Sequence, residues 1–164
     1  MNTAEVNRSL ARLFSELVGG TDSRTGGFVL NTGDEGLLLS LDKLSAGDAS
    51  RSVNDGATIA AHAQHLRFGL SLMNRWAAEG GNPFDDATWD AAWKLSAVDD
   101  AQWHEVRKGL DIEARGWLVA LGAAREVDTV ALTGLIGSLA HLAYHLGAIR
   151  QIARGARGPK EGTF

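Results

Sequence analysis

Two histidines four positions apart, His141 and His145 in the stretch HLAYHLGAIRQIAR, are the residues of this chain best placed to do chemistry. A helix turns about 100° per residue, so positions i and i+4 differ by only about 40° and the two imidazoles project side by side. At that spacing they can chelate one divalent ion. The glutamate that follows the first histidine of an HExxH zinc protease is absent, because Leu142 stands there. The surrounding helix is apolar, with Leu135, Ile136, Leu139, Leu142, Leu146 and Ile149. Imidazoles buried among such residues need partners. A metal is one partner; backbone carbonyls and carboxylates are the other, and on the pair alone both readings stand.

His62 and His65 lie three apart on an earlier helix, about 60° around its axis. His65 falls on an inward stripe with Gly69, Leu72 and Trp76, which makes it the better ligand. His62 would steady a ligand or be partly exposed. His104, among Asp99, Asp100 and Glu105, reads as surface. No clear carboxylate joins the histidines, since the helix that carries His141 has no acid after Asp128. Three neutral imidazoles would leave an ion its +2 charge and an open coordination position, as in a catalytic zinc site rather than a closed structural one. Such an ion would lower the pKa of a bound water or thiol.

Composition narrows the alternatives. The 164 residues suit one domain, 1–164, with 155–164 expected as a flexible tail. There is no cysteine, so disulfides, thiolate catalysis and cysteine-ligated zinc are excluded. Any metal must take His, Asp, Glu or backbone oxygen. A net charge of −4 argues against a nucleic-acid partner, which needs clustered Lys and Arg. The start MNTAEVNRSLARLF does not read as a signal peptide, and no run reaches about 18 apolar residues. The expectation is a cytoplasmic protein without a membrane partner.

The histidines need helices to present them, and the sequence supplies them. Val6, Leu10, Leu13, Phe14 and Leu17 form an apolar stripe, opened by an Asn2/Glu5 capping box and closed at Gly19 and Gly20. The glycine-rich segment GGTDSRTGGFVLN lacks the Lys-Ser/Thr ending of a phosphate loop and reads as a connector. A second helix is expected from a Thr32/Glu35 capping box, with Leu37, Leu38, Leu41 and Leu44 buried, then a loop over 46–57. A long helix follows from Thr58 to Ala78, broken by Gly80, Gly81 and Pro83. A short helix carries Trp89 and Trp93 on one face. Ser96 and Asp99 open the next, through Trp103, Val106, Leu110, Trp117 and Leu121; Asp128 caps the last, Thr129 to about Arg154. The five tryptophans read as core or interface packing, or in part as the lining of a pocket, which the sequence alone does not sort. No segment alternates as a strand, so the fold expected is all-α: a four-helix bundle with one or two extra short helices.

The sequence TIAAHAQHL, a long excursion, and then HxxYHxGxIR about 75 residues after His65 resemble the DinB/YfiT-like superfamily over nearly the whole chain. LDKLSAGDASRSV before the first histidine helix fits the same pattern. The resemblance implies a four-helix bundle that is often a homodimer, and a divalent ion, zinc or nickel, held by His65, His141 and His145. It also implies a transferase or isomerase that uses a low-molecular-weight thiol such as bacillithiol or mycothiol on a small-molecule substrate. One departure stands out: where the family commonly has Gly-Gln-Ile after the last ligand, this chain has Gly147-Ala148-Ile149.

Three functions compete. In the first, a metal-dependent transferase takes the thiol as cofactor, so the enzyme needs no cysteine of its own. Tyr144 is then packing or a hydrogen-bond donor near the ligands, and Arg67 and Arg150 are candidates for a substrate carboxylate or for salt bridges. The second is a metal-dependent hydrolase, weakened by the lack of a general base beside the site. The third is a non-enzymatic dimeric stress or binding protein of the same fold.

Overall fold

The computed structural model describes residues 3–22, 24 and 26–159. Among the described residues all regular structure is helical. The elements are α1 (Thr3–Gly19), α2 (Gly36–Asp42), α3 (Ala46–Ala49), α4 (Ile59–Glu79), α5 (Trp89–Ala92), α6 (Asp100–Gly122) and α7 (Thr129–Ile152), then a 3-10 turn at Arg154–Ala156. The four long helices pack in a ring, with α1 against α6 and α7 and α4 against the same two.

Local chemistry sets the helix starts. Thr58, Asp99 and Asp128 are in extended backbone and accept from the N–H groups of Ala61, Gln102 and Ala131. Each thereby satisfies a donor that the first turn leaves unpaired. For α6 the cap is Asp99, with Gln102 completing a capping box; Ser96 lies outside the helix. The expected box at Thr32 and Glu35 does not form: Glu35 is helical and makes no side-chain cap. Asp34 takes that place by accepting from Gly36 N at 2.8 Å. The expected loop over 46–57 contains a helical turn, because Ser45 and Asp48 form a capping box around α3. The box at Asn2 and Glu5 lies partly outside the described residues.

The end of α1 and the start of α2 cross at two glycines with positive φ, Gly20 (+87°) and Gly36 (+71°). A Cβ on Gly20 would run into the backbone of Asp34 and Glu35, and one on Gly36 into that of Val18 and Gly20. Glycine is required there by conformation and by space.

The core fills the ring with Phe14, Leu17, Leu37, Ile59, Leu66, Leu110, Trp117, Leu135 and Leu142. Two buried tryptophans satisfy their N–H groups, Trp103 on Leu44 O at 2.8 Å and Trp117 on Ser138 Oγ at 3.0 Å. The packing role expected for most tryptophans holds for these two and for Trp76, which packs against the core beside Trp117; Trp89 and Trp93 lie elsewhere. After α7, Ala156 is buried and the 3-10 turn packs on α7 and α2. Residues 160–164 of the expected tail lie outside the described residues.

By length and composition α7 could cross a membrane, with a mean hydropathy of 1.3 over 18 residues, 33% of which are buried. Polar Thr133, Ser138, His141 and His145 interrupt its apolar run. Leu135, Leu139, Leu142, Leu146 and Ile149 on its inner side belong to the core.

Candidate metal centre

The centre forms where α4 and α7 face each other. His62 and His65 project from the first turns of α4, and His141 and His145 from the second half of α7. The expected trio comes together: ligand nitrogens of His65, His141 and His145 all lie within 4.8 Å of one another. His141 Nε2 is 3.0 Å from His65 Nε2 and 2.9 Å from His145 Nε2.

These contacts cannot all be hydrogen bonds. A ring nitrogen of neutral imidazole offers a single in-plane valence, either an N–H or a lone pair. His141 Nε2 faces two other Nε2 atoms and can serve only one of them. A cation among the three would accept a lone pair from each. Around a tetrahedral zinc with bonds of about 2.0–2.1 Å, ligand nitrogens lie roughly 3.3 Å apart. The two close pairs need to open by only a few tenths of an ångström to reach that spacing. The donor set therefore fits a divalent ion of the zinc type.

Burial keeps the imidazoles in the form a metal needs. His65 is pushed down to about 4, first by desolvation and then by the neighbouring His141 and His62. His145 is pushed down to about 3, again chiefly by desolvation, with His141, His62 and His65 adding to it. Burial also lowers His62 and His141. Neutral imidazole carries the lone pair that a metal takes.

His62 is 8% exposed and places its Nδ1 2.8 Å from His145 Nδ1. It is therefore a buried partner of His145 rather than a partly exposed residue. The Nδ1 of His65 is buried without a hydrogen-bond partner. Its ring is instead stacked on Trp93, with centroids 4.2 Å apart and planes at 24°, and lies 5.3 Å from Trp89. Gly69 packs beneath His141, where an added Cβ would stand in ordinary contact at 3.7 Å from its Cε1.

The remaining candidates lie outside this cluster. Tyr144 is 69% exposed and meets His145 edge-on at 5.0 Å, a packing contact. Arg67 lies against Gly109 of α6. Arg150 donates to Asp34 Oδ1 at 2.6 Å. His104 is exposed, as its acidic surroundings imply. Among the described residues no carboxylate is hydrogen-bonded to any of the four clustered histidines.

Sequence reasoning missed Trp89 and Trp93 as walls of the centre. Their i, i+4 spacing marks a shared face, yet they belong to an irregular excursion between α4 and α6 whose path no periodicity fixes. No protein-family model, curated protein or solved structure matches this chain.

Proposed function

We propose that this chain is a metal-dependent enzyme of the DinB/YfiT-like type, a transferase that uses a low-molecular-weight thiol. The observation that carries the metal is the convergence of three Nε2 atoms that mutual hydrogen bonding cannot satisfy. The ring of four long helices fits the four-helix bundle that the resemblance implies. A divalent ion, zinc or nickel, held by His65, His141 and His145 would supply the charge that lowers the pKa of a coordinated thiol toward neutrality.

The protein's own residues bear on which nucleophile is used. A hydrolase needs a base beside the bound water; among the described residues no carboxylate is hydrogen-bonded to the histidines, His62 Nδ1 is engaged with His145, and Tyr144 is largely exposed. A thiol whose pKa has fallen needs no such base. The absence of cysteine means that the thiol comes from a small molecule. Trp89 and Trp93 keep one side of the cluster apolar, which strengthens the electrostatics within it. The reading carries with it a cytoplasmic homodimer acting on a small-molecule substrate.

The test begins with elemental analysis of protein purified without tag or chelator, beside the variant His65→Ala, His141→Ala, His145→Ala. Near-stoichiometric zinc or nickel, lost in the variant, is expected. A panel of small thiols and electrophiles then follows, and turnover that requires both thiol and metal is the expected result. Turnover with metal but no thiol would replace the transferase by a hydrolase. A wild type that holds no ion and takes up none would end the metal reading.

A further inference from the structure

A groove runs from the histidines along the seam between α4 and α7. Its inner part is a cavity of about 260 Å³ lined by Leu66, Trp89, Gly137 and His141. Its outer part is a cavity of about 670 Å³ reaching Trp76 and Val130 near the start of α7. The two share Met73, Phe84 and Gly134 as lining residues and so adjoin along the seam. From Val130 to His141 α7 rises roughly 16 Å, at 1.5 Å per residue. Ligand sites of about 300–1,000 Å³ are the common size for small molecules.

Two features define the occupant. No lysine or arginine lines either part, and the single carboxylate, Asp128, is at the far end from His141. No basic side chain in either lining would pair with a phosphate or carboxylate on the body of the occupant. The wall from α7 is built of small residues on the same face as His141: Gly134 and Gly137 follow Val130 at helical spacing. A Cβ at either glycine would meet nothing within 4 Å. Mid-helix glycine costs about 1 kcal/mol relative to alanine, and no packing contact at these two positions requires it.

We propose that this groove binds the uncharged, elongated apolar body of the substrate, an alkyl chain, with its reacting end at His141. The end at which reaction occurs rests on the metal reading above; the groove itself does not.

The test uses the full chain, metal-free, titrated with the n-alkanols from 1-butanol to 1-decanol and followed by tryptophan fluorescence. Each added CH2 is expected to tighten binding about fourfold, from its burial energy of about 0.8 kcal/mol. Gly137→Leu and, separately, Gly134→Leu fill the groove and should weaken 1-decanol binding by roughly tenfold or more, with thermal melts confirming that both fold. Gly137→Ala is the folded control. A flat series, or leucine variants that bind like wild type, overturns the proposal. So does 1-decanol binding that weakens as protein concentration rises, which would make the groove a self-association surface. On zinc-loaded protein, octanohydroxamate should bind more tightly than acetohydroxamate by the same increment per CH2; equal affinities would separate the groove from the histidines and overturn the assigned orientation. Graded alkanol binding in a chain that takes up no zinc would reject the metal reading and spare the groove, whereas zinc binding with a flat alkanol series would do the reverse.

Discussion

His62 Nδ1 lies 2.8 Å from His145 Nδ1, although 83 residues separate them. If His145 gives the lone pair of Nε2 to an ion, its Nδ1 carries the proton and donates it to His62. His62 must then be the tautomer protonated at Nε2. A partner of this kind fixes the tautomer and ring orientation of a metal-bound histidine, and its loss typically costs 10–100-fold in metal affinity. His62→Ala should therefore weaken zinc by roughly that factor in a chelator competition, without abolishing binding. His62→Gln, whose Oε1 can still accept, should recover part of it. Affinity unchanged in His62→Ala would mean that His145 needs no orienting partner.

The metal-free protein should lose stability as the pH falls. An unfolded histidine titrates near 6.5, whereas folded His65 and His145 are held to about 4 and about 3. Between 6.5 and those values the unfolded chain binds more protons than the folded one, so stability rises with pH across that window. It is complete above about 6.5 and is lost as the pH falls through about 4 and then about 3. Thermal midpoints measured with a chelator from pH 7.5 to 4 should be nearly level above about 6.5 and fall below it. The His65→Ala, His145→Ala double variant should give a flatter profile. Parallel profiles for the two proteins would assign the acid lability to other groups.

How much of this was legible in the sequence depends on which residues talk to near neighbours. The long helices and the caps at Thr58, Asp99 and Asp128 follow from periodicity and spacing, because a helix is a local structure. The grouping of His141 with His145 follows in the same way. His65 could be placed on the inner face of its helix, but His62 could not, since its partner is on another element. The start of α2 defeated the local rule. Thr32 and Glu35 have the right spacing, yet the close passage of Gly20 and Gly36 bends the chain so that Asp34 caps instead. Trp89 and Trp93 reach His65 from a segment held by Arg75, which donates to Pro83 O and Asp86, contacts that no spacing foretells.

Arg150 holds the buried Asp34 carboxylate, and its removal should show what that contact contributes. Its guanidinium donates to Asp34, whose side chain is 2% exposed and also accepts from Gly36 N. Deleting one member of a buried pair leaves the other uncompensated and costs about 3–5 kcal/mol. Asp34→Ala should destabilise the protein by that order, which corresponds to a fall of roughly 10 °C in Tm at this chain length. Arg150→Met, which keeps the aliphatic stem, should cost nearly as much because Asp34 is left buried. Zinc affinity should be unchanged in both. An Arg150→Met protein as stable as wild type, but weaker for an anionic substrate, would return Arg150 to the role of a substrate contact.

Trp93 should act on the metal through His65. The Nδ1 of His65 has no hydrogen-bond partner, so no polar contact sets the ring's orientation from that side. The parallel Trp93 ring at 4.2 Å does so by stacking. Aromatic pairs contribute about 0.5–1.5 kcal/mol beyond area burial, which is roughly a 2- to 13-fold effect on affinity if the preorganisation is lost. Trp93→Ala should weaken zinc within that range, and Trp93→Phe should retain most of the wild-type affinity. The same contact makes Trp93 an optical reporter. Charge arriving at His65 polarises the indole stacked on it, whereas Trp103 and Trp117 are enclosed in the core. Zinc should change the fluorescence of the wild type, reversibly with chelator, and the change should largely vanish in Trp93→Phe. A full zinc response in Trp93→Phe would place the reporting indole elsewhere and remove the link between Trp93 and the metal.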